Sequence, residues 1–207
     1  MTVALQSLAF ESAHLPWPPG QAATNEPDVD FVCRPINIPS ALTKAECDAV
    51  IELGRRAQVV TAGLTHPIEG YRTGVTRLIA PDAVNRWIYH RISELIMQVN
   101  HWYRFDVGGF SEALLYCEYP EGGHFGWHVD CGESRTATRK ISLSVQLSDA
   151  ADYLGGGLEF GAHGELREAR RIGTAVAFPA FLHHRVQPVT RGLRRSLVAW
   201  AHGPMFR

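Results

Sequence analysis

His128 and Asp130 stand two residues apart in Tyr119-Pro-Glu-Gly-Gly-His-Phe-Gly-Trp-His-Val-Asp130, and a second segment far downstream carries His183-His184 and then Arg194. In an extended segment, residues i and i+2 project to one face, so this imidazole and carboxylate can share one cation. The pair alone is weak: ten histidines and eight aspartates in 207 residues give on the order of 0.4 such pairs by chance. A distant second imidazole changes its weight. Two imidazoles and a carboxylate on one face of an octahedral ion leave three adjacent positions open, the arrangement of non-haem Fe(II) centres. Three open positions can take a bidentate 2-oxo acid and dioxygen together. No cysteine stands beside the pair at zinc-site spacing, which favours a redox-active metal over a structural zinc.

Only one of His183 and His184 can enter the site, because neighbours on a strand point to opposite faces. The alternation groups His184 with Val186 and Pro188 toward the interior and His183 with Arg185 and Gln187, which selects His184. Arg194 shares a phase with Ser196, Val198 and Trp200. An arginine on an interior face is costly unless it meets an anion, and its planar fork suits a carboxylate. It is therefore the expected anchor for the far carboxylate of 2-oxoglutarate. Arg191 and Arg195, in contrast, read as surface salt-bridge residues.

The elements that must position these groups change character along the chain. Residues 1–38 contain Pro16, Pro18, Pro19, Gly20 and Pro27 among polar residues, which predicts an irregular arm ahead of one domain over 39–207. Thr43-Lys-Ala-Glu46 has the capping-box pattern and predicts a helix ending near Gly54. Val59-Val60-Thr61 and Gly74 to Ile79 predict short strands. A second helix is expected to open at Pro81-Asp82, with Ile88, Ile92, Leu95, Ile96 and Val99 on one stripe.

Beyond about residue 110 the period becomes two. Leu114, Tyr116 and Glu118 alternate with Ala113, Leu115, Cys117 and Tyr119, and Ile141, Leu143, Val145 and Leu147 alternate with Ser142, Ser144 and Gln146. Further strands are expected at Gly157 to Phe160, Thr174 to Phe178, Val186 to Val189 and Leu193 to Ala201. Helices followed by many short strands predict an α+β chain: a double-stranded β-helix, or cupin-like jelly roll, braced by N-terminal helices.

Composition narrows the class. With 45% hydrophobic residues, 20% charged residues and a formal net charge of −1, the chain has no basic field for nucleic acid. The N-terminal residues lack a leader pattern, and no apolar run is long enough for a membrane span. Cys33, Cys47, Cys117 and Cys131 form no C-x-x-C pair, so free thiols in a reducing, cytoplasmic setting are expected. Oligomeric state is left open.

Tyr119-x-x-Gly122-x-x-Phe125-x-x-His128-x-Asp130, the run from Arg139 to Phe160, and His184 to Arg194 together resemble the Fe(II)/2-oxoglutarate oxygenases of the prolyl 4-hydroxylase type, in particular the PKHD-type hydroxylase branch. The resemblance spans roughly residues 40 to 203. It implies that His128, Asp130 and His184 bind Fe(II), that Arg194 holds the distal carboxylate of 2-oxoglutarate, and that Tyr119 contacts the same cosubstrate. Gln146 falls where relatives often carry a cosubstrate-contacting tyrosine, and Trp200 matches an aromatic packed behind the cosubstrate. The implied chemistry consumes O2, with ascorbate as an optional auxiliary, and couples release of succinate and CO2 to hydroxylation of an unactivated C–H bond. The substrate would be amino-acid-like, another small molecule, or peptidyl.

Retention of Asp130 favours hydroxylation over halogenation. Phe125 departs from the tyrosine common at its place, and His183-His184 doubles a single histidine. The loop Cys131 to Thr138, Trp127 and the segment Arg72 to Arg77 are candidates for substrate selection. Two rival readings are a non-oxidative cupin-like metal enzyme and a catalytically silent ligand-binding jelly roll. The first has no need of a buried Arg194, and the second has no need of the complete triad.

Overall fold

The computed structural model describes residues 32–60 and 70–206. Among the described residues, two long helices precede most of the strands. The first, α1 (Lys44–Arg56), starts at Thr43, whose hydroxyl accepts from the Glu46 backbone while the Glu46 carboxylate accepts from the Thr43 backbone, the reciprocal cap its sequence predicts. The second, α2 (Arg86–Tyr103), opens at Asn85 rather than Pro81-Asp82. There Asp82 Oδ1 accepts from the backbones of Val84 and Asn85, and Asn85 Oδ1 accepts from the Asp82 backbone. These side chains offer the backbone a turn in place of helix, so helical geometry is delayed. No helix among the described residues is long and apolar enough to cross a membrane.

The strands form two facing sheets. The larger runs β1 (Ile36–Ile38), β11 (Ala175–Pro179), β7 (Arg139–Gln146), β14 (Arg194–His202), β5 (Leu114–Tyr119), β4 (Val75–Ile79) and β2 (Gln58–Val60). The smaller runs β10 (Gly164–Glu165), β9 (Leu158–Phe160), β12 (His184–Val186), β6 (His124–His128) and β3 (Arg72–Thr73). A two-stranded ribbon pairs β13 (Val189–Gly192) with β8 (Tyr153–Gly155). Every pairing is antiparallel. This is the jelly roll expected from the period-two half of the sequence.

Two sequence boundaries move. Residues 36–38 pair with β11 as β1, so packed structure begins inside the segment expected to be an irregular arm; residues 1–31 lie outside the described residues, as does Thr61. The single strand expected from Val186 to Val189 is two, broken at Gln187-Pro188. Pro188 is exposed, so the inward alternation assigned to His184 continues through Val186 only. Proline has no N–H for a ladder, which accounts for the break.

The central strands of the larger sheet are buried on both faces, for different purposes. Leu114, Tyr116, Ile141, Leu143, Val145, Leu197 and Ala199 face the helices and join Val50, Ile88, Ile92, Leu95, Ile96 and Val99 in the main core. Contact there is close: a Cβ on Gly54 of α1 would overlap the Tyr116 ring. The opposite face carries Ser142, Ser144, Gln146, Arg194 and Ser196, all at most 9% exposed. Polar side chains on the inner face of a sandwich must be satisfied by one another or by something bound there. The candidate site lies on this face.

Candidate active site

β6 ends at His128, and the chain then passes through Val129, which is 43% exposed, to a bend at Asp130, which is 9% exposed. The Asp130 and Cys131 backbone N–H groups both donate to the Ala180 carbonyl, at 2.8 and 3.0 Å. That clamp keeps the i and i+2 side chains on one face. On β12, His184 is the register partner of His128 on one side and of Phe160 on the other. The two imidazoles therefore stand side by side, with centroids 4.1 Å apart.

Each imidazole is oriented through its other nitrogen. His128 Nδ1 donates to the Gly126 carbonyl at 2.8 Å, and His184 Nδ1 donates to the Leu182 carbonyl at 2.9 Å. These bonds fix the tautomers, leaving both Nε2 lone pairs available. Both point at Asp130: His128 Nε2 is 3.7 Å from Oδ1, and His184 Nε2 is 3.7 Å from Oδ2. One ligand atom from each of the three residues lies within 4.8 Å of the others. Separations of this order fit one ion bridging donors at roughly 2.0–2.2 Å each.

Electrostatics keep His128 and Asp130 in the forms a metal requires. Burial, followed by the neighbouring His184, pulls the His128 pKa down to about 4, so its ring is neutral at physiological pH. Burial alone would push Asp130 up. The two histidines and a 2.6 Å hydrogen bond from Ser142 Oγ to Oδ2 outweigh it and hold the carboxylate below its usual range. Arg139 adds a bond to the Asp130 carbonyl at 3.1 Å while forming a two-pronged ion pair with Glu112 and lying 3.8 Å over the Trp200 ring. Aromatic walls close the histidine side: Phe125 stacks on His128 at 3.6 Å, and Phe178 and Phe160 flank His184 at 4.5 and 5.8 Å.

The cationic end is built on the larger sheet. Arg194, 3% exposed, is the register partner of Tyr119 across β14 and β5, and its guanidinium lies 5.6 Å from the Tyr119 ring centre. No carboxylate among the described residues pairs with it; its side-chain bond is a long one, 3.4 Å to Ser196 Oγ. Burial pushes the Tyr119 phenol up to about 12, so it remains a protonated donor-acceptor, and Arg72 Nη2 donates to it at 3.3 Å. Arg194 lines a small pocket with Ser144, Gln146, Tyr153, Gly156 and Arg170. The triad does not line that pocket. Leu158, two residues before Phe160 on β9, does, and Phe160 is stacked on His184.

The structure thus brings His128, Asp130 and His184 together and places Tyr119, Gln146 and Arg194 on the adjoining inner face. His183 turns outward onto the Trp127 ring at 5.0 Å, which Arg185 also covers at 4.7 Å. Trp127 is therefore engaged on the far side of β6 from the triad. Arg77 pairs with Glu118 at 2.7 Å, whereas Arg72 turns inward over Phe125 at 4.5 Å. Arg195, expected at the surface, is partly buried with Glu118. Trp200, on the site-facing side of β14, has a buried Nε1 with no protein acceptor among the described residues.

Sequence reasoning did not single out Ser142 or Tyr153. The signal for Ser142 was present: a strand apolar in one phase and Ser-Ser-Gln in the other, with both phases buried, marks an internal polar site. The donor set fits one Fe(II). It comprises two oriented imidazoles and one carboxylate, with a buried guanidinium nearby that no carboxylate among the described residues pairs with.

Comparison with known proteins agrees. Residues 114–202 match the model of the 2OG-Fe(II) oxygenase superfamily. A PKHD-type hydroxylase of Synechococcus sp. (strain CC9902) is 38% identical over 89 residues, which are 42% of this chain and 40% of that protein. A PKHD-type hydroxylase of Pseudomonas putida (strain W619) is 35% identical over 94 residues, 42% of this chain and 41% of that one. The matches thus span about two fifths of these curated relatives. Among solved structures, a Pseudomonas putida prolyl-4-hydroxylase superposes with a TM-score of 0.67 at 19% identity, covering 82% of this chain and 92% of that one. A viral collagen prolyl hydroxylase from Paramecium Bursaria Chlorella virus-1 gives 0.62 at 18% identity, covering 82% and 96%. The fold is that of these structures, and over residues 114–202 the resemblance to the 2OG-Fe(II) oxygenases, PKHD-type hydroxylases among them, is borne out.

Proposed function

We propose that the protein is an Fe(II)- and 2-oxoglutarate-dependent dioxygenase that hydroxylates an unactivated C–H bond of an amino-acid-like or peptidyl substrate, releasing succinate and CO2. One observation carries this reading above all: a complete His-Asp-His set with oriented imidazoles shares one sandwich interior with a buried guanidinium that no carboxylate among the described residues neutralises. A non-oxidative cupin-like metal enzyme leaves Arg194 unexplained, and a silent binding domain leaves the oriented triad unexplained. The names of the PKHD-type relatives point the same way.

His128, Asp130 and His184 would hold Fe(II), which supplies activation of dioxygen once bound. Gly126 and Leu182 keep the two Nε2 atoms aimed inward, and Ser142 fixes one carboxylate oxygen. Arg194 and Tyr119 receive the cosubstrate's distal end, and the apolar rings of Phe125, Phe160 and Phe178 exclude water from the histidines. The four thiols are free, with Cys47 and Cys117 buried, which suits a reducing, cytoplasmic setting.

The test is turnover. With Fe(II), 2-oxoglutarate and dioxygen, the full chain is expected to form succinate, and His128→Ala is expected not to. Succinate formation no faster than that of the variant would contradict the proposal.

A further inference from the structure

The side chain expected to bind 2-oxoglutarate from β7 has its donors committed elsewhere. Gln146 Nε2 donates to the Ser148 carbonyl at 3.2 Å and to the Tyr153 hydroxyl oxygen at 3.0 Å. A primary amide has two N–H donors, and these two bonds use both. Its remaining carbonyl is an acceptor and cannot bind a carboxylate. Tyr153 is left in the complementary state. Its oxygen accepts from Gln146, and no described residue accepts from its own O–H, although the residue is 1% exposed. A buried hydroxyl hydrogen without an acceptor is a costly vacancy that a bound anion would fill.

Position supports this. Tyr153 and Arg194 line the same small pocket. They also converge above one glycine: a Cβ on Gly156 would lie 3.0 Å from Arg194 Cδ and 3.3 Å from Tyr153 Cε2, with Val189 Cγ2 at 2.9 Å. Gly156 has φ +62°, where glycine is favoured, and the missing Cβ leaves room for the arginine stem beside the phenol. Tyr153 also belongs to the buried cluster that contains Tyr119, Val189 and Trp200.

Building on the 2-oxoglutarate reading above, we infer that Tyr153 is a binding residue for the distal carboxylate, donating its O–H beside the Arg194 guanidinium, and that Gln146 is a positioning residue acting through Tyr153. The phenol that relatives place on β7 is supplied here by β8, with the β7 amide fixing its orientation.

The test uses anaerobic Fe(II)-loaded full chain titrated with 2-oxoglutarate and with 2-oxopentanoate, an acid of the same length without the distal carboxylate. Binding is followed by the visible absorption of the iron–2-oxo acid chelate. Tyr153→Phe is expected to weaken 2-oxoglutarate about ten-fold or more, the scale of a hydrogen bond to a charged group, and to leave 2-oxopentanoate unchanged. Gln146→Met, which keeps the phenol but frees its orientation, is expected to weaken 2-oxoglutarate by a smaller factor and again spare 2-oxopentanoate. Tyr153→Phe within two-fold of wild type for 2-oxoglutarate, or equal losses for both acids in either variant, would overturn the inference. Failure of the wild-type protein to bind either acid would instead overturn the underlying assignment of the site.

Discussion

Ser142→Ala isolates the bond that aims the carboxylate ligand. Ser142 is fully buried, and its Oγ lies 2.6 Å from Asp130 Oδ2, the oxygen facing His184 Nε2. Alanine removes this donor without adding volume. A hydrogen bond to a charged group contributes about 1.5–3 kcal/mol, but this one exists with or without metal, so only part of its value reaches the metal affinity. Losing an outer partner of a metal ligand typically costs about 10–100-fold. The lower end is expected here, because the Asp130 backbone stays clamped by Ala180 and Arg139. A competition titration with Mn(II) or Co(II) on the full chain should show roughly ten-fold weaker binding, alongside a lower melting temperature for the metal-free variant. Affinity within two-fold of wild type would refute the reasoning. Complete loss, matching Asp130→Ala, would show that Ser142 supports the whole segment and not one carboxylate oxygen.

The neighbouring histidines should separate cleanly. His184→Ala is expected to abolish metal binding and His183→Ala to retain it, since His183 stacks outward on Trp127; an isotherm for each variant decides, and the reverse result would invert the register of β12. Arg194→Ala should weaken 2-oxoglutarate roughly 30-fold or more while changing metal affinity less than about three-fold, the cost of leaving a buried carboxylate without its cation; equal losses in both titrations would make Arg194 structural. Away from the site, Gly54→Ala should lower the melting temperature, because the new Cβ overlaps the Tyr116 ring and overpacking costs about 1–3 kcal/mol, more than the helix propensity gained. A variant as stable as wild type in thermal unfolding would count against close packing of α1 on β5.

Local rules made much of this molecule legible. The capping box at Thr43 and the apolar stripe of α2 arise from interactions within a few residues, and period two over β5 and β7 follows from the pleat. Burial still alternates past the end of β6, with Val129 exposed between buried His128 and Asp130, but there the backbone N–H groups held by the Ala180 carbonyl, not a strand, fix it. Less legible were local breaks that the hydrophobic period passes over and features set by contacts between distant segments. Asp82 and Asn85 compete for backbone donors and delay α2, while Pro188 divides a strand whose hydrophobic pattern reads as continuous. Ser142 and Tyr153 have ordinary residue types, and their importance arises only where β7, β8 and β14 converge. Arg195 looked like a surface residue because sequence does not show that Glu118 lies across the register from it.

The central claim, that the triad and the Arg194 pocket form one Fe(II)/2-oxoglutarate site, is tested most directly by anaerobic titration of the metal-free protein with Fe(II) and 2-oxoglutarate together. A visible charge-transfer band that requires both components and saturates at one equivalent of each is expected. Folded protein that binds Fe(II) but shows no band when 2-oxoglutarate is added would contradict it.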